Sequence, residues 1–182
     1  MNFTPLPLPG AFRIDLDKRE DERGFFARLF CETEFAAHGL NTRWVQINTS
    51  LTRRTGSLRG LHFQRPPAAE VKLVKCLAGA IFDVIVDLQV GSSTFGQWAG
   101  IELSAANRSM IYVPKGFAHG FQALTEDVEL LYLHSDAYSG PDEGGVRYDD
   151  PALAIHWPLP VTDLSPRDAG HSSLTEIEPI SL

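Results

Sequence analysis

The 182-residue sequence predicts an all-β domain, a jelly-roll barrel or sandwich with a few short helices. Two observations carry that prediction. From Trp44 onward, short apolar runs recur between clusters of Gly, Pro, Asn and Ser, at the spacing of strands and turns. Ahead of the C-terminal part, only one segment has helical spacing.

Met1 to Gly10 carries Pro5, Pro7 and Pro9 and reads as an extended arm, of the kind that lies on a neighbouring subunit, leading into a strand at Ala11 to Leu16. Asp17 to Gly24 is charged and turn-forming, and Gly24 opens an apolar strand through Leu29 and Phe30. Glu32 to His38 predicts a helix with an acidic first turn and Gly39 as its stop. The barrel is expected over 44–134, with strands at Trp44 to Asn48, Leu58 to Gln64, Val71 to Leu77, Ile81 to Leu88, Gln97 to Leu103, Met110 to Val113, Gly120 to Leu124 and Val128 to His134. Ala78-Gly79-Ala80 supports a tight hairpin between two of them. Residues 139–182 read as loops and short helices, with a helical turn near Asp163 to Ala169 and the last dozen residues frayed. The whole of 1–182 is expected to be a single domain, with 1–16 as the arm and first strand.

Hydrophobic residues make up 43% and charged residues 21%, which excludes a disordered chain. A net charge of −7 argues against nucleic-acid and anionic-membrane surfaces, so an anionic ligand must be met locally. Arg53, Arg54, Arg59 and Arg65 cluster where such a pocket could form. Cys31 and Cys76 lie far apart without a Cys-x-x-Cys and read as reduced core thiols. With no leader-like N-terminus and no membrane-length apolar run, a cytoplasmic protein is expected. Nucleotide-binding glycine motifs and a His-x-His with a following Glu are both missing, so the expected chemistry is acid/base work without metal or cofactor.

That chemistry is sought in Leu58-Arg59-Gly60-Leu61-His62-Phe63-Gln64-Arg65 and in Val71-Lys72-Leu73-Val74-Lys75, which put a histidine, arginines and lysines on strand-like sequence. Period two places Leu58, Gly60, His62 and Gln64 on one face and Arg59, Leu61 and Phe63 on the other. Gly60 beside His62 leaves room for something to approach. A lone histidine on a strand is ordinarily a satisfied half-buried residue, and the rest of the chain must argue otherwise.

It does so through motifs in order: Asp21-Glu22-Arg23-Gly24-Phe25-Phe26, Arg59-Gly60-Leu61-His62-Phe63-Gln64, Lys72-Leu73-Val74-Lys75, Phe82-Asp83-Val84, Thr94-Phe95-Gly96-Gln97-Trp98, Pro114 to Phe121, Asp149-Asp150-Pro151 and Trp157-Pro158. Over nearly its whole length the sequence resembles the dTDP-4-dehydrorhamnose 3,5-epimerase family, cupin-type jelly-roll enzymes of nucleotide-sugar biosynthesis. The resemblance implies an isomerase that epimerises C3 and C5 of a nucleotide-linked 4-keto-6-deoxyhexose through an enolate, as a homodimer. It implies His62 as base, Asp168 as its partner, Lys72 beside the C4 oxygen and Tyr132 as proton donor. Arg23 and Arg59 match diphosphate-binding positions, His119 a sugar-binding one, and Tyr138 the place of a base-stacking aromatic. Gln46, Asn48, Glu143 and Arg167 fall at further substrate-binding positions.

Two departures bear on the nucleotide. Arg28 stands where the family usually has a glutamate, and Ile47 stands within Gln46-Ile47-Asn48 where it usually has an aspartate. A carboxylate suits the N3 proton of thymine, whereas a cation suits the N3 acceptor of cytosine, so a CDP-linked sugar is an alternative to a dTDP-linked one. A single-centre epimerase and a non-catalytic sugar-nucleotide-binding cupin are the other readings. As a residue on its own, Asp168 would also serve as a helix-start cap.

Overall fold

The computed structural model describes residues 1–182. Fourteen strands run in chain order: β1 (Asn2–Pro5), β2 (Phe12–Asp15), β3 (Lys18–Asp21), β4 (Gly24–Ala27), β5 (Gln46–Thr52), β6 (Ser57–Gln64), β7 (Lys72–Ala78), β8 (Ala80–Asp87), β9 (Trp98–Ser104), β10 (Met110–Val113), β11 (Phe117–Ala123), β12 (Val128–His134), β13 (Glu143–Gly145) and β14 (Asp163–Leu164). Helix α1 (Glu32–Ala37) precedes β5, and α2 (Pro166–Ala169) follows β14. The fold is all-β and cupin-like, as the alternating runs predict.

Two sheets face each other. One has the order β1-β2-β10-β7-β12-β5; the other is β13-β6-β11-β8-β9, with β14 parallel to β6. Between them lies the main core, in which Val74, Ile85, Ile111, Phe117, Phe121 and Leu130 interlock. A second cluster on the outer face of the second sheet joins Leu61, Phe63, Val84 and Val86 to Val146, Leu153, Leu174, Ile177 and Ile180 from the C-terminal segment. A third covers the outer face of the first sheet, where Phe35 of α1 packs on Ile14, Leu73 and Tyr112.

Three local expectations are corrected by packing. The proline-rich start is no free arm: β1 pairs with β2, and Leu8 is buried in the main core. Asp17 to Gly24 is not merely a turn, since β3 and β4 form a hairpin that stands off the sandwich. The last dozen residues are not frayed, because Ile180 is 1% exposed and its N–H bonds Leu88 O at 2.7 Å. The first strand and the C-terminal segment gain order from apolar partners far along the chain, which local composition does not record.

Candidate active site

Arg59 and His62 line the same opening between the sheets although they lie three positions apart. In the β6–β11 register His62 faces His119 and Arg59 faces Phe121, so Gly60 and Leu61 stand opposite Gly120 alone. Such a two-against-one bulge reverses the alternation of side chains. The strict period-two reading, which put Arg59 and His62 on opposite faces, is corrected accordingly. Gly60 adopts φ +127, and a Cβ there would lie 2.5 Å from Gly120 Cα and 2.9 Å from His119 O. The glycine thus admits the neighbouring strand rather than a ligand.

Asp168 reaches His62 from α2. Ser165 caps that helix by accepting the Asp168 N–H at 3.0 Å, so the cap is a serine and the Asp168 carboxylate is free for another task. Oδ1 accepts a hydrogen bond from His62 Nε2 at 2.8 Å, and Oδ2 accepts one from the Gly60 N–H at 3.2 Å. Burial pushes this carboxyl up, but the hydrogen bond and charge of His62, with the Gly60 and Ser165 donors, carry it down to about 2. A permanent carboxylate on Nε2 holds the proton there and leaves the Nδ1 lone pair available as a base.

The first sheet supplies the facing wall. Alternation along β12 turns Val128, Leu130 and Tyr132 inward, and along β7 it turns Val74 and Cys76 inward, with Lys72 on the same parity. The Tyr132 hydroxyl lies 3.1 Å from Ser50 Oγ, and burial pushes its phenol up to about 12. Lys72 Nζ lies 3.4 Å from Glu70 Oε1, while His134 Nδ1 meets Glu70 Oε2 at 2.7 Å. Burial raises the Glu70 carboxyl, but His134 and Lys72 outweigh it and hold Glu70 below the ordinary carboxylate range. From the second sheet, His119 Nε2 lies 2.9 Å from Oδ2 of the fully buried Asp83, whose carboxyl is pushed up by burial against the pull of His119. Ser50, Glu70, Lys72, His119, Tyr132 and His134 line a cavity of about 280 Å³ together with Arg59 and His62, while Asp83 stands behind His119.

A wider groove of about 740 Å³ shares Arg59 and His62 with this cavity and is lined further by Arg53, Arg54, Arg167 and Asp168. Four guanidinium groups in one groove answer the need for a local anion site in an acidic protein. At the cavity rim the Tyr138 hydroxyl donates to Glu143 Oε2 at 2.9 Å, Glu143 also holds Arg167, and Gln46 Oε1 accepts the Tyr138 N–H at 3.1 Å.

Of the residues singled out in the sequence, the fold therefore gathers His62, Lys72, Tyr132, Arg59, His119, Asn48, Tyr138 and Glu143 around the cavity, with Asp168 and Arg167 in the groove and Gln46 behind the rim. It does not bring Arg23 and Arg28 there within one chain. Arg23 sits at the tip of the β3–β4 hairpin, 89% exposed and paired with Asp21, and Arg28 pairs with Glu34 at 2.9 Å. Sequence reasoning missed Ser50, Glu70, Asp83 and His134. Ser50 and His134 stand two positions from Asn48 and Tyr132, so the strand period held the signal for both. The only cluster of metal-type side chains is His62, Asp168 and His171, with ligand atoms within 4.8 Å of one another. In it His62 Nε2 and Asp168 Oδ1 already satisfy each other, so the pair reads as a hydrogen-bonded base and carboxylate rather than a metal centre.

The sequence pattern of a family described as dTDP-4-dehydrorhamnose 3,5-epimerase matches residues 5–176. The chain is 42% identical over 182 residues to a dTDP-4-dehydrorhamnose 3,5-epimerase of Sinorhizobium fredii, covering all of this chain and 93% of that one. It is 41% identical over 177 residues to a dTDP-4-dehydrorhamnose 3-epimerase of Streptomyces niveus, covering 97% of this chain and 85% of that one. It also superimposes, with a TM-score of 0.91 and 41% identity, on a dTDP-6-deoxy-D-glucose-3,5-epimerase of Legionella pneumophila in complex with dTDP-4-keto-L-rhamnose, covering 97% and 94% of the two chains.

Proposed function

The chain belongs to the dTDP-4-dehydrorhamnose 3,5-epimerase family and is an isomerase, and from that premise we propose how its own residues invert the sugar. The observation that carries the reading is the opposition of His62 on one sheet to Tyr132 on the other, across a cavity that also holds Lys72.

The substrate is a dTDP-linked 4-keto-6-deoxyhexose, of the kind bound by the Legionella relative. Its C4 ketone acidifies the protons on C3 and C5. His62 Nδ1 removes one of them, the C–H electron pair moves into the ring bond to C4, and the carbonyl pair moves onto oxygen. The Lys72 ammonium stabilises that oxyanion. Tyr132 then delivers its phenolic proton to the same carbon from the opposite face, inverting it. Proton exchange with solvent returns His62 to the neutral form and Tyr132 to the phenol. Asp168 keeps the His62 tautomer and steadies the imidazolium. The diphosphate lies against Arg59 and Arg167, with Tyr138 presenting an aromatic face to the base. Glu34 meets the charge of Arg28 within the chain, which favours the dTDP-linked sugar over the CDP-linked one.

Deuterium uptake followed by proton NMR in D2O tests this. Tyr132→Phe should still exchange substrate protons but not release inverted sugar, and His62→Ala should do neither. Turnover by His62→Ala would overturn the assignment. Exchange at C3 alone would make the protein a single-centre epimerase like the Streptomyces niveus relative, with the same residues in the same roles.

We infer a homodimer as well. The β3–β4 hairpin leaves Phe26 74% exposed, β5 is a free sheet edge, and Ile47 and Leu51 on it are exposed. A second copy of the chain covers these surfaces and brings Arg23 near a substrate site from outside. Light scattering that gives only monomer would remove this inference. No helix is long and apolar enough to cross a membrane, and the two unpaired cysteines fit a reducing cytoplasm.

A further inference from the structure

One imidazole beside the proposed base has no part in the steps above. His171 follows α2; its side chain is 13% exposed, and its Nε2 is buried without a hydrogen-bond partner. That nitrogen lies 3.5 Å from Asp168 Oδ1, the same oxygen that His62 Nε2 meets at 2.8 Å. The two rings stand edge to face, with centroids 5.4 Å apart and planes at 80°.

The position is built by the backbone around it. Gly145 pairs with His62 in the β13–β6 register, and a Cβ on Gly145 would run into the His171 ring. Ser172 is held next to it by the bridge to Val146 and by the Arg147 N–H, which bonds Ser172 O at 3.0 Å. The ring is therefore seated against the carboxylate by strands that also carry His62.

A ring nitrogen 3.5 Å from a carboxylate oxygen is favoured there as N–H, because its lone pair would face like charge. Burial and the neighbouring His62 push the His171 pKa down, so the ring is neutral at physiological pH. The other charged groups that face it are Arg167 and Glu143, which pair with each other.

We propose that His171 is a positioning residue of the epimerisation, acting through Asp168: its otherwise unpartnered Nε2–H, 3.5 Å from Oδ1, attracts that oxygen electrostatically beside the hydrogen bond of His62, so that one carboxylate is divided between two imidazoles. The division has two effects. It pins the carboxylate against rotation, and with it the His62 ring. It also weakens the hold of Asp168 on the His62 Nε2 proton. The proposal rests on His62 being the base, and the experiment below separates the two.

The experiment compares the full-length wild-type protein with His171→Phe, which removes the donor and keeps the bulk, His171→Asn, whose amide is too short to reach, and His171→Gln, which restores an N–H at similar reach. Two quantities are measured: the NMR titration midpoint of the His62 ring proton in the free protein, and the acidic limb of kcat/KM against pH. Phe and Asn should raise both midpoints by about half a pH unit, roughly a threefold loss of activity on that limb, and Gln should return them toward wild type. An unchanged or lowered His62 midpoint in every variant that folds would overturn the proposal, even if kcat fell, since a merely structural ring would do that. The NMR midpoint is read without turnover, so a failure of His62 as base would show in His62→Ala and leave this measurement intact.

Discussion

Asp168 Oδ1 lies 2.8 Å from His62 Nε2 while its Oδ2 accepts the backbone N–H of Gly60, two residues before that histidine, at 3.2 Å. One carboxylate thus fixes both the ring and the bulge that aims it. Asp168→Asn should lower kcat by about a thousandfold or more, because an amide no longer selects the tautomer with its proton on Nε2. Substrate binding should change little, and single-turnover kinetics at saturating substrate would check this.

The same group predicts a pH dependence of stability. Its folded pKa of about 2 lies below the ordinary 3.8, so its stabilising contribution is full above about pH 4 and is lost as pH falls through about 2. Denaturant unfolding of wild type and Asp168→Asn should therefore differ at pH 7 and converge toward pH 2. A constant gap across that range would contradict the assignment.

Tyr132 predicts the alkaline side. With the phenol pushed up to about 12 by burial, it remains a proton donor through the whole alkaline working range. The rate of epimerisation should show no loss attributable to Tyr132 below about pH 10. Tyr132→Phe should slow epimerisation by about a hundredfold or more while proton exchange persists.

Gly60→Ala should destabilise the fold by about 3 kcal/mol, since its Cβ would meet Gly120 Cα at 2.5 Å on a backbone of φ +127. Thermal unfolding would read it directly. Gly120→Ala, whose Cβ would lie 2.7 Å from Arg59 O, should behave similarly.

Ile180→Ala tests the C-terminal cover. The side chain is 1% exposed within the second core cluster, so truncation should cost about 2–4 kcal/mol in denaturant unfolding. Activity per folded molecule should be unchanged, because Ile180 packs on the face of the second sheet opposite the cavity.

Much of the molecule was legible in the order of residues alone. Short apolar runs between turn residues specified strands, because a half-buried strand must alternate and a turn must break it, and the runs from Leu58, Val71, Ile81 and Val128 all became strands. His62 and Lys72 stand in local motifs, whereas Tyr132 and Asp168 were nameable only through the family resemblance. What only the tertiary structure decided has a common physical reason: it depends on contacts between residues distant in the chain. The bulge opposite Gly120 turned Arg59 and His62 to one side; β1 and the C-terminal segment found order only against cores assembled elsewhere; Glu70 met His134 only through the pairing of β12 with β7, and His171 met Asp168 only once β13 and α2 closed over β6. Local pattern specifies which backbone forms, but burial and hydrogen bonding across the sandwich decide which side chains share a charge.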